Sequence, residues 1–152
     1  MKLLRTALII TIAVSSTACT DMFKNIFDSP TEPSSTGDVR SYLGTWAGAT
    51  TAPAAQSCGG LLWKITSQTG SQASGDFSAT CADDVKLTGT MTATHSDTSI
   101  PWAATGTATK GATTCPFSMT GTGTFQGTSN IAVSYAGTSC NGPVSGSETI
   151  KR

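Results

Sequence analysis

Charge is scarce in this chain. Nine Lys and Arg and nine Asp and Glu make up 12% of 152 residues, and the basic residues form no cluster, so nothing offers the row of cations that neutralises nucleic-acid phosphates. Histidine is scarcer still, with His95 alone. A Ser-His-Asp relay would need an activated serine near it, yet no Gly-x-Ser-x-Gly elbow occurs, and His95 reads as a surface turn residue before Ser96-Asp97. No C-x-x-C is present, which removes zinc-ribbon and thioredoxin-like sites. No apolar run is long enough to span a bilayer as a helix. From Ser41 onward no helix-period apolar pattern persists for ten residues, which excludes a helical domain.

What the chain does have begins with a secretory signal: Lys2 and Arg5, the apolar run Ala7 to Val14, then the small residues Ser15-Ser-Thr-Ala18. At its end, Ser16-Thr17-Ala18-Cys19 resembles the lipobox of bacterial lipoproteins, with Ser16 where that family usually has Leu. The resemblance implies a signal peptide over 1–18, a fatty-acylated (palmitate-bearing) Cys19, and a bacterial cell-envelope protein anchored to the membrane by lipid. Thr20 in place of Asp points by the same resemblance to the outer membrane, and cleavage after Ala18 without acylation is the alternative. Removing the signal takes away Lys2 and Arg5, leaving 7 − 9, or a net charge of −2.

Residues 19–40 read as a tether. Met22, Phe23, Ile26 and Phe27 recur at helical spacing and suit a lipid surface. Asp28 to Gly37 is rich in Pro and Ser, and about 20 such flexible residues would hold a domain roughly 25 Å from its anchor.

Residues 41–152 read as one all-β domain, because Thr-, Val- and aromatic-rich runs alternate with Gly, Asn, Asp and Pro breaks. Strands are expected near 42–50, 60–68, 72–81, 85–94, 99–109, 115–125, 130–138 and 143–151. Eight short strands joined by short turns fit an antiparallel meander that closes into a barrel, or alternatively folds into a β-sandwich.

Five cysteines minus Cys19 leave two similar pairs, and the pairing Cys58 with Cys81 and Cys115 with Cys140 clamps the open ends of two hairpins. Each loop closure is worth about 3 kcal/mol. Trp46 stands 12 residues before Cys58 and Trp102 stands 13 before Cys115, which suggests a four-strand unit used twice. Parity imposes a condition: Cys58 with Cys81 sums to an odd number, whereas matching Trp63 with Phe77 sums to an even one. A β-bulge at Gly59-Gly60 would absorb the difference.

Candidate chemistry is sparse. Asp83-Asp84 could contribute to a calcium loop but lacks the further acids, so a solvated turn is expected. Asp76 and Glu148 are the acids inside predicted strands, and glycosidase chemistry would need them face to face. Gly121-Thr-Gly123 resembles a phosphate loop only superficially, with no helix after it. Tyr42, Trp46, Trp63, Phe77, Trp102, Phe117, Phe125 and Tyr135 belong in the interior. There Trp46, Trp63, Trp102 and Tyr135 either fill the core or wall a cavity for a small apolar or sugar-like ligand.

Leu43-Gly-Thr-Trp-Ala-Gly48 and Leu87-Thr-Gly-Thr90 resemble the opening motif and a strand of avidin-like and other calycin barrels. The resemblance implies the up-and-down barrel; no biotin-contacting motif accompanies it. Tyr135-Ala-Gly-Thr-Ser-Cys140 and Gly142 to Lys151 resemble the ends of small bacterial lipoproteins with no implied activity. The expectation is a non-enzymatic envelope module, without metal or cofactor, that binds a small ligand or a partner protein. The alternatives are an envelope inhibitor of a hydrolase, similar to lysozyme or protease inhibitors, and a purely structural envelope protein.

Overall fold

The structure, a computed structural model, describes residues 40–49, 54–139 and 141–152. The expected signal, Cys19 and the tether before Arg40 lie outside the described residues.

Eight strands follow in order: β1 (Gly44–Gly48), β2 (Cys58–Thr69), β3 (Gln72–Cys81), β4 (Val85–Thr94), β5 (Ile100–Lys110), β6 (Thr113–Gln126), β7 (Asn130–Ser139) and β8 (Gly142–Lys151). Each pairs antiparallel with the next, and β8 pairs back to β1, so the sheet is a closed barrel and not a sandwich. Closure removes the open edges that invite association.

The strand expected over 42–50 is only five residues long. Its start is set by Gly44 at φ 114°, a conformation no extended L-residue adopts, and by the Tyr42 N–H, which donates to Gln68 Oε1 at 2.7 Å rather than to a ladder. β6 extends beyond the expected 115–125 at both ends.

Register bears out the parity argument. Cys58 pairs with Cys81 and Gly59 with Thr80, but Leu62 pairs with Ser78 and Trp63 with Phe77, so a bulge lies between Gly59 and Leu62. Cys58 and Cys81 are disulfide-bonded. Cys115 is disulfide-bonded as well, and its expected partner Cys140 lies outside the described residues.

Along every strand, buried positions alternate with exposed ones, the period of a pleated sheet with one apolar face. Inward positions carry Leu61, Trp63, Phe77, Leu87, Met91, Trp102, Met119, Ile131, Val133 and Ile150. Outward positions carry mostly Thr and Ser, the inverse of the lipid-facing apolar band of a membrane-spanning barrel. One rank of paired residues crosses six strands: Trp46, Trp63, Phe77, Gly89, Gly106 and Phe117. The two facing glycines leave space over which the Phe77 and Phe117 rings approach to 5.8 Å between centroids.

The barrel has two distinct ends. One carries the Cys58–Cys81 disulfide, the Ala82–Asp84 3₁₀ turn and the segment leading into β2. The other carries residues 40–43, the turns at Gly70 and Gly127, the loop 95–99 and Arg152; we call it the mouth.

Candidate functional site

The interior was the first candidate. Trp46, Trp63, Trp102 and Tyr135 are all buried, 1 to 5% exposed, and three of them join ring clusters. Trp102 lies 5.2 Å from Trp63 and stacks on Phe77 at 5.8 Å, and its Nε1 packs against Gly121, where an added Cβ would come within 2.6 Å. Toward the mouth, Tyr42, Trp46, Phe125 and His95 form a second cluster with centroids 5.2 to 6.2 Å apart. His95 is therefore a half-buried member of the mouth and not the surface turn residue expected, because its ring packs edge-on against Tyr42 while its N–H donates to Ser71 O at 2.7 Å. Ser96 turns its hydroxyl to Ser99, not to His95. Burial raises the Tyr42 hydroxyl pKa to about 12 despite the opposing charge of Arg40.

The two strand acids do not face each other. Asp76 is exposed on the outer wall opposite Lys64, whereas Glu148 points inward and is buried. Glu148 belongs to the seam where β1 ends after Gly48. Its carboxylate accepts the N–H of Gly60 at 3.2 Å and of Leu61 at 2.9 Å, so a side chain of β8 serves the bulged backbone of β2 directly. The carboxylate occupies the space that a side chain at Gly48 would need.

Tyr135 reaches the same strand. Its ring crosses Gly146, its paired residue on β8, and its hydroxyl accepts the Cys58 N–H at 2.7 Å and donates to the Cys58 carbonyl. Burial raises the Tyr135 pKa, the Cys58 backbone bond lowers it, and the Glu148 charge raises it again. Sequence reasoning missed this role, since both partners are backbone atoms of Cys58, 77 residues away; the parity of the cysteines located the neighbouring bulge and not the tyrosine that reaches it.

Around the seam, the disulfide end collects the conformational outliers. Gln56, Asp83 and Asp84 are the non-glycine residues with positive φ among the described residues, at 60°, 59° and 59°. Asp tolerates that region through local hydrogen bonding, but for Gln it is unfavourable. The segment is held on both sides: Ser145 N–H donates to Gln56 O at 2.9 Å, Ala82 N–H donates to Ser57 O at 2.9 Å, and Ser57 folds back on Ala54 O. A pocket of about 80 Å³ lies between Gln56, Ser57, Asp83, Asn141 and Pro143. That volume admits a small side chain and not a sugar.

The larger hollows are shallow grooves on the outer wall: about 450 Å³ over β6–β8 and about 360 Å³ over β2–β4, both lined largely by Thr and Ser, and about 380 Å³ over β2–β4, lined by Leu62, Lys64, Asp76 and Phe77 among others. Gly121-Thr122-Gly123 lies within β6, and no helix follows it. Among the described residues no group of three His, Cys, Asp or Glu could hold a metal ion, and no helix is long and apolar enough to cross a membrane. Comparison with protein-family models, with curated proteins and with solved structures found no match.

Proposed function

We propose that the chain is a lipid-anchored bacterial envelope protein whose barrel, without chemistry of its own, binds a partner protein through the rim at its disulfide end. The observation that carries this reading is the tied segment at Gln56 and Ser57, set in unfavourable backbone beside Asp83 and Asp84. Strained residues persist where surrounding structure over-determines them, and they gather at binding sites. A segment fixed before contact loses little conformational entropy on association. An envelope hydrolase fits as partner under the inhibitor reading, with the rim filling its cleft. The barrel resembles the calycin and avidin-like type in topology and in the Gly44-Thr-Trp46 opening of β1; no ligand is carried over from it.

The test is photo-crosslinking from residue 84 in the living envelope, with residue 107 on the outer wall as control. One discrete adduct from 84 and none from 107 is expected; equal labelling from both positions, or no adduct from 84, refutes the rim. Acylation is tested apart, by loss of fatty-acid incorporation in Cys19→Ser.

A second reading keeps a small apolar or sugar-like ligand inside. It is favoured by the buried Nε1 groups of Trp63 and Trp102 and the Tyr42 hydroxyl, which have no hydrogen-bond partner. Native mass spectrometry of the protein purified from its own envelope would show an added mass that denaturation releases; a bare chain mass counts against it.

A further inference from the structure

We propose that the mouth of the barrel is a docking surface for an anionic membrane. The inference rests on the envelope location proposed above but not on acylation, because the contact is made by the barrel itself.

The few charges are distributed unevenly. At the disulfide end Lys86 and Lys110 are matched by Asp83 and Asp84, with Lys110 Nζ 3.4 Å from Asp83. On the wall Lys64 is paired across the ladder with Asp76, and Glu148 is turned inward. At the mouth the described side chains Arg40, Lys151 and Arg152 face one described acid, Asp97, so the described side chains of that end sum to 3 − 1, or +2. Among the described residues it is the one end with uncompensated charge.

Both arginines are held in place while remaining exposed. The Arg40 guanidinium lies 4.2 Å from the Phe125 ring centroid and donates to Gly127 O at 3.0 Å. The Arg152 guanidinium lies 5.2 Å from the Trp46 ring and donates to the carbonyls of Leu43 and Ser41. Each guanidinium has five donors, so donors remain for a phosphate, and the ring and carbonyl contacts have already fixed the rotamer.

Beside Arg152, whose guanidinium its carbonyl accepts, and three residues after Arg40 stands Leu43, 45% exposed and, among the described residues, one of two large hydrophobic side chains left open to solvent. An apolar side chain flanked by cations suits the boundary between headgroups and acyl chains. The chain also enters the barrel at Arg40, so along the sequence the mouth is the end nearest Cys19. A soluble anion would satisfy the arginines but would give Leu43 no partner, and this favours the lipid surface.

The test uses the chain with Cys19→Ser, freed of its signal, and flotation with vesicles of phosphatidylcholine alone or mixed with phosphatidylglycerol. Binding to the mixed vesicles only, weakened by salt, is expected. Arg40→Gln and Lys151→Gln should each lower the affinity roughly fivefold, and Lys86→Gln and Lys110→Gln should leave it unchanged. Lys151 makes neither ring nor carbonyl contact, so its variant stays informative should Arg40→Gln disturb the fold, which tryptophan fluorescence would report. Equal binding to neutral vesicles, no binding to either, or equal losses from the two ends would overturn the proposal. Fatty-acid labelling fails or succeeds independently of all these outcomes.

Discussion

Between β4 and β5, eight consecutive residue pairs run in register from Lys86 with Thr109 to Ala93 with Trp102, whereas β8 meets β1 only at Ala47 with Lys151 and Gly48 with Ile150. On the far wall the backbone ladder does the joining, and side chains are free to be omitted: Gly89 faces Gly106 so that two Phe rings can meet above them. At the seam the ladder of the described residues ends at Gly48, and Glu148 and Tyr135 join β8 and β7 to β2 by side-chain hydrogen bonds to backbone. Glycines are used in both places. On the wall they make room for rings, and at the seam Gly48 and Gly146 make room for the polar links. A barrel can thus close with one strand cut short, provided that buried polar side chains satisfy the freed backbone.

The largest effect expected is from Glu148→Ala. It leaves the buried Leu61 N–H and the part-exposed Gly60 N–H without their charged acceptor and should cost about 4 kcal/mol in chemical denaturation. A loss no greater than for an outer-wall variant would remove the seam from the account. Replacing Cys58 and Cys81 together by Ser should cost about 3 kcal/mol, read the same way, since it frees a loop of 23 residues' separation. Tyr135→Phe keeps the ring over Gly146 but loses both bonds to Cys58, with an expected cost of about 2 kcal/mol.

Smaller and pH-dependent is the response of the buried phenols. A raised pKa in the folded state means that the unfolded chain ionises first, so stability holds below about pH 10 and falls as pH rises toward 12. Tyr42→Phe should flatten part of that alkaline decline; an unchanged profile would place the effect elsewhere. Least of all, Thr107→Ala on the outer face of β5 should stay within about 0.5 kcal/mol. A greater loss would mean that the far wall, too, depends on its side chains.

The strands were legible because Thr, aromatic and Gly residues alternate with a period of two and because turns fall at Gly70, Gly111 and Gly127, where φ is positive. The bulge was legible for a different reason: a disulfide and an aromatic pair on one hairpin demanded different parities. β1 was read too long, since nothing in Tyr42 to Thr50 announces that Gln68 will take the Tyr42 N–H. Glu148 was visible as an acid within a strand, yet not its purpose, because its acceptor role depends on where another strand stops. The rim escaped notice almost entirely. Gln56 carries no local signal for a left-handed backbone; its conformation follows from contacts with β8 and with the 3₁₀ turn, far away in sequence.

The short seam has a consequence for the entropy of the chain. Every other strand pair joins sequence neighbours, and some, such as β2 with β3, close over a turn of two residues. The seam pairs Ala47 with Lys151 and Gly48 with Ile150, more than 100 residues apart. Closing so long a loop costs on the order of 3 kcal/mol more than closing a tight hairpin. Two backbone pairs and a few buried side-chain bonds must offset that cost, so the barrel's easiest opening runs between β8 and β1.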